Sequence, residues 1–145
     1  MCRDRTNCPF DCGTPTAELL TIKLLLNSVI STPGGKFMTI NISNFYLNTQ
    51  LDRYEYMRLK LDMFPDDVIK EYNLRGKVEH NGYAYIEVRN GMYGLPQAGL
   101  LALKLLAKRL ATHGYMQSDV TAGIWTQEWR PICLSLVVDD FGLIT

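Results

Sequence analysis

The apolar run Ile132 to Val138 leads directly into two adjacent carboxylates, Asp139 and Asp140, and then into Phe141-Gly142. A short, continuous apolar run bounded by turn residues reads as a buried strand. It must therefore lie inside a sheet and still deliver two like charges to the sheet's rim. Adjacent carboxylates repel, and burial raises the pKa of at least one of them. A divalent cation would remove that penalty, and magnesium is typically held by one or two carboxylates together with substrate phosphates. The plainer alternative is a solvated acidic turn, since surface positions are where acids are commonest. Only three residues follow Gly142. The partner strand of this turn is thus expected to be almost wholly missing, leaving the chain truncated within the hairpin and one strand edge unsatisfied.

The 145 residues suit one domain or a piece of a larger one. An irregular lead-in is expected over residues 1–13 and a single domain over 14–145. Hydrophobic residues make up 47% and charged residues 21%, an ordinary globular balance that argues against disorder. Fifteen basic and fifteen acidic residues cancel, so any case for nucleic acid has to be local. Cys2, Cys8, Cys12 and Cys133 form no C-x-x-C pair and have no histidine at knuckle spacing, which disfavours zinc. Reduced thiols are the better reading. The most apolar stretch, Leu19 to Ile30, contains Lys23 and Asn27 and is too short and interrupted to span a bilayer. No secretory signal is visible, and a soluble, cytoplasmic protein is expected.

Thr14-Pro15, with Glu18 behind, predicts a helix start, and Leu19, Leu20, Ile22, Leu25, Leu26 and Val29 give it an apolar face. Pro33-Gly34-Gly35 ends it. Phe37 to Leu47 is expected to be a strand followed by a turn, and a helix is expected from Phe64-Pro65-Asp66-Asp67 to about Tyr72. Lys77 to Val88 predicts a hairpin turning at Asn81-Gly82. After a glycine-punctuated loop, Gln97 to His113 is the clearest helix, with Gly114 as its stop. Strands and helices in this order predict an α+β or α/β layer.

Several segments resemble the motifs of copia-type retrotransposon reverse transcriptases. Val137-Val138-Asp139-Asp140 is similar to the acidic signature. Tyr93-Gly94-Leu95-Pro96-Gln97-Ala98-Gly99 resembles the motif upstream of it. Asn44-Phe45-Tyr46-Leu47-Asn48 with Tyr54-Glu55-Tyr56-Met57 resembles the first palm motif and its continuation. His113-Gly114-Tyr115 with Ser118 and Asp119 resembles the segment before the acidic turn. Order and spacing carry the likeness, which spans about residues 13–145. It implies an α+β partial palm and fingers, RNA-directed DNA synthesis, Mg2+ as cofactor, and deoxynucleotides with an RNA or DNA template-primer as partners. It also implies the remainder of a retroelement polyprotein. Two metal ions would stabilise the attacking and leaving oxygens.

Residue by residue, Asp139 matches a catalytic metal ligand and Asp140 its less directly engaged neighbour. Tyr46 matches the aromatic that excludes a ribose 2′-hydroxyl, against the bland alternative of a core tyrosine. Gln97 matches a glutamine that helps seat nucleotide and template, against a merely polar helix start. Lys104, Lys108 and Arg109, with Arg89 before them, form the one basic region, with no acid from Val88 to Ser118. That region could track a nucleic-acid backbone or simply face water.

The departure is at position 41, where the family's first palm aspartate, a metal ligand, is replaced by Asn41. An amide offers an oxygen without charge, and no Asp or Glu occurs from Leu19 to Leu51 to take its place. Loss of one preorganised electrostatic group costs about 10²–10³ in rate. Catalysis is therefore expected to be impaired, by Asn41 and by truncation. Two rivals stand beside this: a non-catalytic nucleic-acid-binding remnant, and a decayed element product with no present role. Asp140-Phe141-Gly142 copies a kinase triplet without the kinase catalytic loop or lysine strand, and Gly34-Gly35-Lys36 lacks the phosphate loop's first glycine.

Overall fold

The computed structural model describes residues 13–145. Cys2, Cys8, Cys12 and nearly all of the expected lead-in lie outside the described residues. The described residues divide into two compact units, one of residues 13–49 and 91–145, the other of residues 50–90.

The first unit contains α1 (Leu19–Ser31), β1 (Phe37–Asn41), α3 (Ala98–Ala111), β4 (Tyr115–Gln117), β5 (Ile124–Gln127), β6 (Cys133–Val137) and β7 (Asp140–Ile144). Its five strands form one sheet in the order β1-β7-β6-β5-β4, every pairing antiparallel. Leu103 of α3 closes over Trp125, Leu134, Leu136 and Phe141, with Ile42, Leu106, Leu110 and Leu143 packed around them. Trp125 and Leu136 are fully enclosed. Ser135, in the middle of the buried strand, satisfies its hydroxyl by donating to the Gly142 carbonyl at 3.4 Å, as a buried polar group must.

The hairpin expected to be missing its second strand is built. β7 pairs along its whole length with β6 on one side, from Cys133↔Ile144 to Val137↔Asp140, and with β1 on the other, from Phe37↔Ile144 to Asn41↔Asp140. Truncation within the hairpin is therefore corrected. The residues after Asp139 are few, but at one residue per rung five of them complete a ladder. Phe37 to Asn41, which the sequence places far away, covers the outer edge that was expected to stay unsatisfied.

The helix start also moves. α1 begins after Glu18, not at Thr14-Pro15. The Ala17 N–H donates to the Leu136 carbonyl at 2.9 Å, so the segment ahead of the helix is held extended against β6. A sheet hydrogen bond there outweighs a local cap. α1 itself has no buried residue, and Leu19, Leu20, Leu24 and Ile30 are exposed. The clear helix is confirmed as α3, and Gly114 (φ +75°) supplies its left-handed stop.

The second unit holds β2 (Gln50–Lys60), α2 (Asp66–Glu71) and β3 (Tyr83–Asn90), with single 3₁₀ turns at Leu61–Met63 and Leu74–Gly76. The expected helix after Phe64-Pro65 is α2. The expected hairpin from Lys77 is corrected. Asn81-Gly82 does turn the chain, with Gly82 at φ +80° and its N–H donating to the Glu79 carbonyl. The partner of β3, however, is β2, in register from Glu55↔Val88 to Lys60↔Tyr83. Met57 and Leu59 lie opposite Ile86 and Ala84, a longer apolar match than residues 77–80 could offer. The chain leaves the first unit at Thr49 and re-enters it at Gly91, whose N–H donates to the Thr49 carbonyl at 2.7 Å.

Candidate functional site

Three distant segments meet at one end of the five-stranded sheet. Asn41, the last residue of β1, lies directly across from Asp140, the first of β7, and its Nδ2 donates to Asp140 Oδ1 at 2.9 Å. The ladder extends one step further, because the Ile42 N–H donates to the Asp139 carbonyl at 3.0 Å. From the loop before α3, the Tyr93 hydroxyl donates to Asp139 Oδ2 at 2.8 Å. Tyr46, in the turn that follows β1, packs edge-on against Tyr93 with ring centroids 4.6 Å apart. Gly91 makes this approach possible: a Cβ there would stand 2.8 Å from the Tyr46 carbonyl oxygen.

Each carboxylate of the pair thus has one neutral donor. Asp139 is half-buried and Asp140 exposed, so the repulsion between them is relieved partly by water and partly by the amide and the phenol. The phenols register the charge. Tyr93 is pushed above the ordinary tyrosine value first by its hydrogen bond to Asp139, and Tyr46 first by burial and then by the Asp139 charge. A phenolate beside an existing carboxylate is an added like charge.

The turn that presents the acids is tight. Val137 and Asp140 are register partners, so Val138 and Asp139 alone connect β6 to β7. Val138 takes φ +60° while Asp139 does not have positive φ, the sign pattern of a two-residue turn whose first position glycine normally fills. For a β-branched residue this is a strained backbone.

No protein-family model, no curated protein and no solved structure matches this chain.

Of the residues singled out from the sequence, Asn41, Tyr46, Asp139 and Asp140 are brought together. Tyr93 belongs to the motif before α3, but the motif assigns it no role. Its signal was the spacing of the motif from the acidic pair, which does not reveal where a phenol points. Gln97 stands half-buried at the position before α3, without a side-chain capping bond to the helix. Lys104, Lys108 and Arg109 are exposed on α3. Arg89 belongs to the other unit, on β3, and is ion-paired with Glu87. Cys133, on β6, is a free thiol whose pKa burial raises, the mark of an inert cysteine.

The donor set falls short of a two-metal centre. Among the described residues no three His, Cys, Asp or Glu side chains group closely enough to hold a metal ion. Asn41 presents its amide N–H to Asp140, so a neutral donor stands there in place of a charged oxygen ligand. Also among the described residues, no helix is long and apolar enough to cross a membrane.

Proposed function

We propose that the first unit is the palm portion of a copia-type reverse transcriptase whose nucleotidyl-transfer centre is blunted by Asn41. The observation that carries this reading is the convergence at one sheet edge of Asn41, Tyr46 and the Asp139-Asp140 turn. These are the positions whose motifs resemble that family, and they come from segments nearly a hundred residues apart in the chain. A polymerase of that class works by positioning and by charge stabilisation at the reacting phosphate. Here two of the needed carboxylates stand at the rim, and a hydrogen-bond donor occupies the place of the third. No catalytic step follows from such a set, and impaired chemistry is the consequence.

The test is magnesium-dependent primer extension on an RNA template by the chain and by Asn41→Asp. The expected outcome is negligible extension by the chain and a gain of at least about 10² with aspartate restored. Efficient extension with Asn41 in place would sink the impairment. No gain on Asn41→Asp, together with no Mg2+-dependent change in its stability, would remove the polymerase reading.

A second reading rests on a separate observation. Lys104, Lys108 and Arg109 are exposed, with no ion pair to any described residue. A phosphate-tracking face of that kind would bind nucleic acid without chemistry. Binding that weakens steeply with salt and is lost on Lys104→Glu with Lys108→Glu supports it; no binding at low salt excludes it.

A further inference from the structure

The solvent face of the β2–β3 ribbon belongs to the second unit and has no part in the site above. Burial alternates along Glu55–Lys60 of β2 and along Ala84–Arg89 of β3. Glu55, Met57, Leu59, Ala84, Ile86 and Val88 turn inward, while Tyr56, Arg58, Lys60, Tyr85, Glu87 and Arg89 face water. Tyr83, half-buried, shares the outer face as the register partner of Lys60. The outer face therefore carries an unusual load of rings and cations. Tyr56 is 67% exposed and Tyr85 59%, far from the burial that would make them core residues.

The cations are held among the rings. The Arg58 guanidinium lies over the Tyr83 ring at 3.9 Å from its centroid, and Arg89 stands 5.7 Å from the Tyr54 ring. The Tyr56 hydroxyl donates to Glu87, which also accepts from Arg89. These contacts reduce the conformational freedom the side chains would lose on binding. On the exposed positions from Tyr54 to Lys60 and Tyr85 to Arg89, Arg58, Lys60 and Arg89 oppose the single carboxylate of Glu87. The surface is thus net positive although the chain as a whole is neutral.

We propose that this face is a binding platform for single-stranded nucleic acid. Tyr56 and Tyr85 would bear on the bases and Arg58, Lys60 and Arg89 on the phosphates. Tyr56 lies opposite Glu87 and Tyr85 opposite Arg58, so the two rings are diagonal neighbours across the strands, about 7–8 Å apart. That is about twice the 3.4 Å rise per nucleotide in a stacked strand, the separation that admits a ring between successive bases. Exposed aromatics beside a positive groove are the means by which proteins hold single strands without reading sequence, and guanidinium planes stack on bases in the same way. A duplex, its bases hidden in the stack, offers these rings nothing to meet. The proposal stands on the second unit alone and does not depend on the polymerase reading.

Anisotropy of a labelled oligothymidylate, titrated with the full chain at low salt, tests it, with the same sequence annealed to its complement as the duplex probe. The expected result is tighter binding to the single strand. Tyr56→Ala with Tyr85→Ala should weaken it by about tenfold or more, and the Tyr→Phe pair, which keeps the rings and the fold, should retain it. Equal affinity for duplex, equal loss in the Phe and Ala pairs, or no binding at low salt would overturn the proposal. If the Ala pair leaves oligonucleotide affinity unchanged but alters self-association in size-exclusion chromatography, the face is a protein interface and the proposal is likewise overturned.

Discussion

Asn41 and Tyr93 do comparable work by different means. Each gives one member of the acidic pair a neutral hydrogen bond, so that two carboxylates can stand next to each other at the end of a buried strand. The tyrosine's contribution has a definite dependence on pH. The folded-state pKa values of Tyr93 and Tyr46 are raised, so the folded form holds these protons more tightly than the unfolded form does. The stability linked to them is complete below the ordinary tyrosine value of about 10 and is lost as pH rises through the raised folded values. Spectrophotometric titration of the folded chain should therefore show a late phenol component. Tyr93→Phe should shrink that component and flatten the loss of stability above about pH 10. An unchanged alkaline profile would mean that the Tyr93–Asp139 hydrogen bond does not persist in solution.

At the level of elements, the acidic turn repeats the theme of local cost supported by its surroundings. Val138 is held at φ +60° because β6 and β7 are each anchored on both sides, β7 between β6 and β1 and β6 between β5 and β7. Val138→Gly should raise the urea midpoint by the equivalent of about 0.5–1 kcal/mol, the left-handed penalty less the glycine's extra entropy; a lower midpoint would show that Val138 makes compensating contacts. The sequence revealed elements defined by their own pattern: α3 by its periodicity and its glycine stop, α2 by proline and acids, β6 by an apolar run. It failed where long-range pairing decides. Asn81-Gly82 marked a true turn but could not name β2 as the partner of β3. Thr14-Pro15 looked like a cap because the Ala17–Leu136 hydrogen bond is invisible in local sequence. In the site, Asn41, Tyr46 and the acids were found through motif spacing. Tyr93 was not assigned, because only the folded loop aims its hydroxyl at Asp139.

For the molecule as a whole, the two units are built to different strengths. The first has a continuous core of Leu103, Trp125, Leu134, Leu136 and Phe141. The second buries Leu51, Ile69 and Ala84 beneath a two-stranded ribbon, and two strands alone are marginal in water. Amides of β2 and β3 should exchange with solvent about tenfold or more faster than those of β5 and β6 under native conditions. Uniform protection in hydrogen exchange would show that the chain opens only as one cooperative block. The hydrogen bond from Gly91 to Thr49 has a further consequence. The strand that departs and the strand that returns are joined at their base, so everything between Gln50 and Asn90 is a side excursion from a path that is already closed. Such an excursion can lengthen, shrink or be exchanged for another without reregistering a single rung of the five-stranded sheet. The hydrogen-bonded joint at Thr49 and Gly91 is therefore a seam at which the ribbon can be replaced while the acidic rim keeps its register.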